Sequence, residues 1–122
     1  DRVIFAGFRR GDDVDRLYQM ADLYVLPSVS EPFGITALEA VQQGTPVIVS
    51  KQSGVREVLP DAVQVDFWDT RKMADEMLRI LSHREAAKRL GELQRTALPN
   101  LTWDTAALKV AAIYKELAAV PA

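Results

Sequence analysis

Short apolar runs alternate with amphipathic segments along this chain of 122 residues. Four runs have the length and composition of β-strands, at residues 3–6, 23–26, 46–50 and 63–66. The first run, VIFA, is uniformly apolar, which is typical of a strand buried on both faces of a parallel sheet. The fourth alternates apolar and polar residues, which favours a position at the edge of the sheet.

The segments between these runs have the spacing of helices. They lie at residues 12–21, 33–43, 55–59, 70–81 and 84–97, and a last one follows residue 102. Asp12 or Asp13 can cap the first helix, Gly44 can stop the second, and Thr102 can cap the last. Strands separated by helices predict βαβ units, and therefore an α/β fold with an open parallel sheet covered by helices on both faces.

The loop and helix between the second and third strands carry the candidate chemistry. We expect Pro32 in the first turn of a helix that begins at Phe33, with Gly34 removing side-chain bulk at that turn. The free N–H groups of a first turn, together with the helix dipole, favour an anion. Ligands of open parallel sheets bind beyond the carboxyl ends of the strands. The sequence thus predicts a phosphate site on the backbone of Phe33, Gly34 and Ile35.

Two carboxylates, Glu31 and Glu39, flank this site with seven residues between them. Carboxylates accept hydrogen bonds from hydroxyl groups, so the pair could hold hydroxyls on either side of a diphosphate. A sugar nucleotide has this arrangement, with a ribose at one end and a hexose at the other. The alternatives are that Glu39 is a solvated helix residue and that Glu31 only makes local bonds at the helix entrance.

The run SEPFGITALEA at residues 30–40 resembles the donor-binding motif of the retaining glycosyltransferases of family 4, which have the GT-B fold. Four other segments are similar to that family: VIFAG at residues 3–7, LYQMAD at 17–22, GTPVI at 44–48 and LTW at 101–103. The similarity therefore covers nearly the whole chain. It implies a Rossmann-like half of a GT-B enzyme.

The resemblance also implies roles for residues of the motif. Glu31 would contact the transferred sugar and act as the catalytic residue, and Glu39 would bind the nucleotide ribose. The backbone of Phe33, Gly34 and Ile35 would contact the diphosphate and the sugar. The donor would be a UDP-, GDP- or ADP-sugar, transferred with retention to an unknown acceptor, and neither a cofactor nor a metal ion is expected.

The loop after the first predicted strand carries further candidates. Gly7 and Arg9 would line the nucleobase or phosphate pocket, although Arg9 and Arg10 could equally be solvated. Lys51 is a weaker candidate of the same kind. The chain also departs from the family where two glycines are common, because Ser53-Gly54 stands there.

The resemblance implies that residues 1–122 are part of a C-terminal nucleotide-sugar-binding domain, truncated at its N-terminus. Two strands of that domain, which carry an arginine and a lysine for the diphosphate, would precede Asp1. The acceptor-binding N-terminal domain of the same enzyme would also be absent. We therefore expect the chain to be inactive alone.

Composition limits the possible partners and location. A formal charge of −2 gives no reason to expect nucleic acid as a partner. The chain has no cysteine, which fits a reducing compartment. We expect a cytoplasmic protein, with the inner face of the membrane as an alternative location.

Two other functions are compatible with an α/β domain. One is a non-catalytic nucleotide-binding module, which would have no need for both glutamates. The other is a dinucleotide-dependent oxidoreductase, which would carry a glycine-rich fingerprint after a strand. The chain shows no such fingerprint.

Overall fold

A computed structural model describes residues 2–119. Its elements, in chain order, are α1 (Asp12–Met20), β1 (Tyr24–Leu26), α2 (Ile35–Gln42), β2 (Val47–Ser50), a 3₁₀ turn (Gly54–Glu57), β3 (Val63–Val65), α3 (Thr70–Leu81), α4 (Arg84–Arg95), a second 3₁₀ turn (Leu98–Asn100) and α5 (Trp103–Ala118). Within these residues, no helix has both the length and the apolar character needed to span a bilayer.

The three strands form a parallel sheet in the order β1-β2-β3. Tyr24 lies opposite Val47, and Ile48 lies opposite Val63. The central strand is completely buried, whereas the alternating strand β3 lies at an edge, as its pattern predicts.

The central strand divides the core into two layers. Val47 and Val49 join an apolar cluster with residues of α1 and α2, while Ile48 joins a second cluster with residues of α3 and α4. Successive side chains of a strand point to opposite faces of a sheet, so each cluster lies on its own face. The predicted α/β fold, with helices on both faces of an open parallel sheet, is confirmed.

The prediction of a strand at residues 3–6 is wrong. This segment has no regular secondary structure, and its side chains are exposed, with Ile4 at 86% and Phe5 at 94%. A strand needs a neighbour for its N–H and C=O groups. Within residues 2–119, the only strand that pairs with β1 is β2, so residues 3–6 have no partner.

The helix boundaries are close to the predictions, but the predicted N-cap of α1 is wrong. Gly11, rather than Asp12 or Asp13, is the N-cap of α1, and no side chain bonds to that helix start. Thr102 does cap α5, because its Oγ1 accepts a hydrogen bond from the Thr105 amide at 3.1 Å. Gly44 follows the end of α2 with φ at 88°, the conformation expected of a glycine stop.

The sequence favours a packing role for three aromatic residues, but all three are exposed. Trp68, Trp103 and Tyr114 have 63%, 91% and 69% of their surface accessible. The last two belong to α5, none of whose residues is buried. No element among residues 2–119 covers these three side chains.

A buried glutamine joins α4 to the central strand. The Gln94 side chain is 1% exposed, and its Oε1 accepts a hydrogen bond from the Val47 amide at 2.9 Å. Its Nε2 donates to the carbonyl oxygens of Val47 and Asp61 at 3.1 and 3.3 Å. This side chain therefore supplies hydrogen-bond partners to the backbone of Val47, at the start of the buried strand β2.

Candidate functional site

The helix that carries the candidate site begins later than the sequence predicts. Gly34 is the N-cap of α2, with φ at 92°, and the first helical residue is Ile35. Pro32 and Phe33 therefore belong to the preceding loop, and the expectation of Pro32 in the first helical turn is wrong. The sharp turn is made by the glycine, because φ at this value strongly disfavours residues with a side chain.

Gly34 is also confined by its neighbours. A Cβ at this position would lie 3.0 Å from Leu26 Cδ2 and 3.2 Å from Val55 Cβ. The start of α2 therefore packs closely against the carboxyl end of β1 and the 3₁₀ turn after β2.

Replacing Gly34 by alanine should lower the free energy of unfolding by about 2 kcal/mol, from left-handed strain and crowding together. Gly44 provides the control, because it has a similar φ, at 88°, but nothing within 4 Å of an added Cβ. Gly44→Ala should lower the free energy of unfolding by only about 1 kcal/mol. Denaturant unfolding of the full-length protein measures both values, and equal losses would show that crowding at Gly34 is unimportant.

The amide groups at the start of α2 are available to a ligand. Within residues 2–119, the amides of Gly34, Ile35 and Thr36 make no hydrogen bond to another protein group. The Phe33 amide donates to Glu31 Oε1 at 3.4 Å, a long contact that a ligand could displace. Free amides at the positive end of a helix dipole form a favourable environment for an anion.

The loop that contains Glu31 is fastened to the loop after β2. The Gly54 amide donates to the Glu31 carbonyl oxygen at 2.9 Å, and Ser50 Oγ donates to the Ser28 carbonyl oxygen at 2.6 Å. A Cβ at Gly54 would collide with the carbonyl oxygen of Pro32. These contacts hold Glu31 beside the start of α2, at the carboxyl edge of the sheet.

Ser53 and Gly54 have different environments in the loop after β2. The close approach of the two loops requires glycine at position 54 only. Ser53 is 1% exposed, and its Oγ has no hydrogen-bond partner among the described residues. It forms an isolated parallel bridge with Glu31, so it lies between the Glu31 loop and the core.

Glu39 lies about one turn into α2, whose first helical residue is Ile35. The distance from Ile35 along the helix axis is therefore about 6 Å. The side chain is half-buried, and its Oε2 accepts a hydrogen bond from the Tyr18 hydroxyl at 3.2 Å. Burial raises the pKa of Tyr18, and its electrostatic interactions with the neighbouring Tyr24 and with the Glu39 carboxylate raise it further. The Tyr18 phenol is therefore a neutral donor to the Glu39 carboxylate.

The structure shows no contact between the other candidate residues, Gly7, Arg9, Arg10 and Lys51, and the start of α2 within residues 2–119. Gly7 and Arg9 lie in the exposed segment before α1, and an added Cβ on Gly7 would meet nothing within 4 Å. Arg10 stacks on the Phe8 ring, with 4.8 Å between the guanidinium carbon and the ring centroid. The Lys51 ammonium lies 2.9 Å from Asp66 Oδ2. The binding roles predicted for Gly7 and Arg9 stay predictions.

Sequence reasoning missed Tyr18 as a member of the site. Its helical spacing indicated only that it faces the core, and its ring does so. The contact with Glu39 joins residues 21 positions apart on two helices, so local periodicity carries no signal for it.

Comparisons with known proteins agree on one family. Residues 1–96 match the model of the Glycosyl transferases group 1 family. An uncharacterized glycosyltransferase of Methanocaldococcus jannaschii is 37% identical over 93% of this chain and 30% of its own length. A D-inositol 3-phosphate glycosyltransferase of Corynebacterium diphtheriae is 32% identical over 96% of this chain and 28% of its own length. The chain thus spans less than a third of the length of these relatives.

Solved structures of two synthases have a similar fold. Sucrose-phosphate synthase from Thermosynechococcus elongatus is 36% identical, with a TM-score of 0.69 over 84% of this chain and 27% of its own. An α,α-trehalose-phosphate synthase (UDP-forming) from Burkholderia vietnamiensis is 16% identical, covers 93% of this chain and 27% of its own, and has a TM-score of 0.77, which supports the fold alone. On the sequence match over residues 1–96, the chain belongs to the glycosyl transferases group 1 family.

Proposed function

We propose that this chain is part of the donor-binding domain of a retaining glycosyltransferase of the GT-B fold. The enzyme transfers a sugar from a nucleotide-diphosphate sugar to an acceptor. The proposal rests on the amides of Gly34, Ile35 and Thr36, which have no hydrogen-bond partner within residues 2–119, with Glu31 and Glu39 on either side in sequence. The names of relatives such as the D-inositol 3-phosphate glycosyltransferase support the same reaction class.

The amides at the start of α2 would bind the diphosphate and stabilise the charge that develops as it departs. Preorganised donors of this kind contribute about 3–4 kcal/mol each in favourable cases. They are already oriented by the turn at Gly34, so little reorganisation is required when the charge appears.

The two glutamates would act on the sugars at the ends of the donor. Glu31 would accept hydrogen bonds from the transferred sugar, and its negative charge would stabilise a positively charged sugar in the transition state. Glu39 would accept hydrogen bonds from the ribose hydroxyls. The Ser50 and Gly54 contacts limit the movement of the Glu31 loop, which favours a fixed geometry at the reacting carbon.

The rest of the enzyme would lie in parts of the polypeptide outside these residues, because the chain spans only 28–30% of its relatives. Those parts would bind the acceptor and supply the cationic side chains that contact the diphosphate. The chain alone would be inactive, and the enzyme would work in the cytoplasm or at the inner face of the membrane.

Titration of the full-length protein with UDP, GDP and ADP tests this proposal. We expect one of the three to bind saturably and the matching nucleotide sugar to support transfer. Proton NMR of the product should show the anomeric configuration of the donor. Failure to bind any of the three would contradict the proposal, and an inverted product would contradict retention. Binding without transfer to any acceptor would favour a non-catalytic nucleotide-binding module.

A further inference from the structure

Tyr18 is held in place at three points. Thr45 Oγ1 donates to the Tyr18 carbonyl oxygen at 2.5 Å, which fixes the backbone at the end of α1. The ring packs edge-to-face against Tyr24, with 5.5 Å between the centroids and 80° between the planes. The hydroxyl donates to Glu39 Oε2 at 3.2 Å. Its orientation is therefore set by the core rather than by Glu39.

A rigid donor changes what the Glu39 carboxylate can do. A free glutamate side chain loses rotamer entropy when a ligand immobilises it. The Tyr18 hydroxyl holds Oε2 in advance, while Oε1 makes no hydrogen bond within residues 2–119. The free oxygen can then accept hydrogen bonds from a ligand without first losing that freedom.

We propose that Tyr18 is a positioning residue for Glu39, orienting its carboxylate to accept hydrogen bonds from the ribose of a bound nucleotide. This inference rests on the proposed function, because it requires that Glu39 bind the ribose. It adds a residue outside the SEPFGITALEA segment that controls the affinity for the nucleotide.

Tyr24 provides a matched control. Its ring forms the other half of the same aromatic pair, and its hydroxyl also donates to α2, to Thr36 Oγ1 at 2.8 Å. It makes no hydrogen bond to Glu39 in the described part of the chain. Tyr18→Phe and Tyr24→Phe therefore each remove one hydroxyl bonded to the same helix, but only the first removes the donor to Glu39.

The experiment uses the full-length protein and the tightest binder among UDP, GDP and ADP as the probe. We expect Tyr18→Phe to weaken its Kd about 3- to 30-fold, which lies within the range of coupling between groups in direct contact. Tyr24→Phe should change the Kd by less than about twofold, because it removes only a hydroxyl bonded to the Thr36 side chain and keeps the aromatic pair with Tyr18. The Tm of both variants should fall by similar amounts, which separates positioning from a general loss of stability.

A double-mutant cycle with Glu39→Ala decides the mechanism. If Tyr18 acts through Glu39, Tyr18→Phe should have no further effect on the Kd in the Glu39→Ala background. Additive effects, equal effects of the two tyrosine variants, or an unchanged Kd for Tyr18→Phe would each overturn the inference. An unchanged Kd for Glu39→Ala alone would instead contradict the ribose role in the proposed function.

Discussion

Replacing Gln94 by leucine is expected to lower the free energy of unfolding by about 2–5 kcal/mol. Leucine can fill the space left by the glutamine, but it can neither donate nor accept a hydrogen bond. The amide and carbonyl of Val47 lose their Gln94 bonds inside the core, and the carbonyl of Asp61 loses its bond too. A buried group left without a partner costs about 1–3 kcal/mol. Denaturant unfolding of the full-length protein measures the loss.

Gln42→Leu is the control for this prediction. It makes the same chemical change at an exposed glutamine, on the last turn of α2. A surface substitution of this kind should change the free energy of unfolding by no more than about 0.5 kcal/mol. If Gln94→Leu is equally harmless, the bonds between Gln94 and β2 contribute little to the fold.

Replacing Glu39 by alanine is expected to weaken nucleoside-diphosphate binding by about 1.5–3 kcal/mol, the range for hydrogen bonds to a charged group. At 25 °C this corresponds to a Kd about 10- to 150-fold higher. The variant removes the carboxylate that would accept the ribose hydroxyls and leaves the amides at the start of α2 unchanged. Calorimetric titration of the full-length protein with UDP, GDP and ADP measures the change.

Two further variants make the Glu39 result specific. Glu92→Ala removes an exposed carboxylate from α4 and should leave the Kd unaltered. Glu31→Ala should keep the affinity for the nucleoside diphosphate but weaken binding of the corresponding nucleotide sugar, because Glu31 would contact only the sugar. An equal loss of diphosphate affinity in the Glu31 and Glu39 variants would contradict the separate roles proposed for them.

Much of the fold could be predicted from local patterns. The order of elements from α1 to α5 follows from apolar periodicity, and Gly44 and Thr102 end and begin helices where their chemistry predicts. Residues 3–6 show where local patterns fail. Their composition favours a strand, but a strand forms only beside another one, and periodicity carries no information about that neighbour. Burial of the apolar face of α5 could not be predicted for the same reason. Amphipathic spacing shows that a helix has an apolar face, but it does not specify which element covers that face.

The candidate site could be located from the sequence, but its details could not be. The predicted helix start beside Gly34 indicated an anion site at the carboxyl edge of the sheet, and the two glutamates indicated hydroxyl groups on either side of it. The exact helix start depends on the positive φ of Gly34, in a space beside Leu26 and Val55 that has no room for a side chain. The Tyr18 contact likewise depends on how α1 packs against α2. Such contacts between elements are set by tertiary packing, which local propensity does not encode.

A structure of the full-length protein with a bound nucleotide-sugar analogue tests the central claim most directly. The predicted result is a diphosphate within hydrogen-bond distance of the Gly34 and Ile35 amides, with the ribose hydroxyls on Glu39 and the sugar on Glu31. A diphosphate bound away from the start of α2, or a ribose without contact to Glu39, would contradict it.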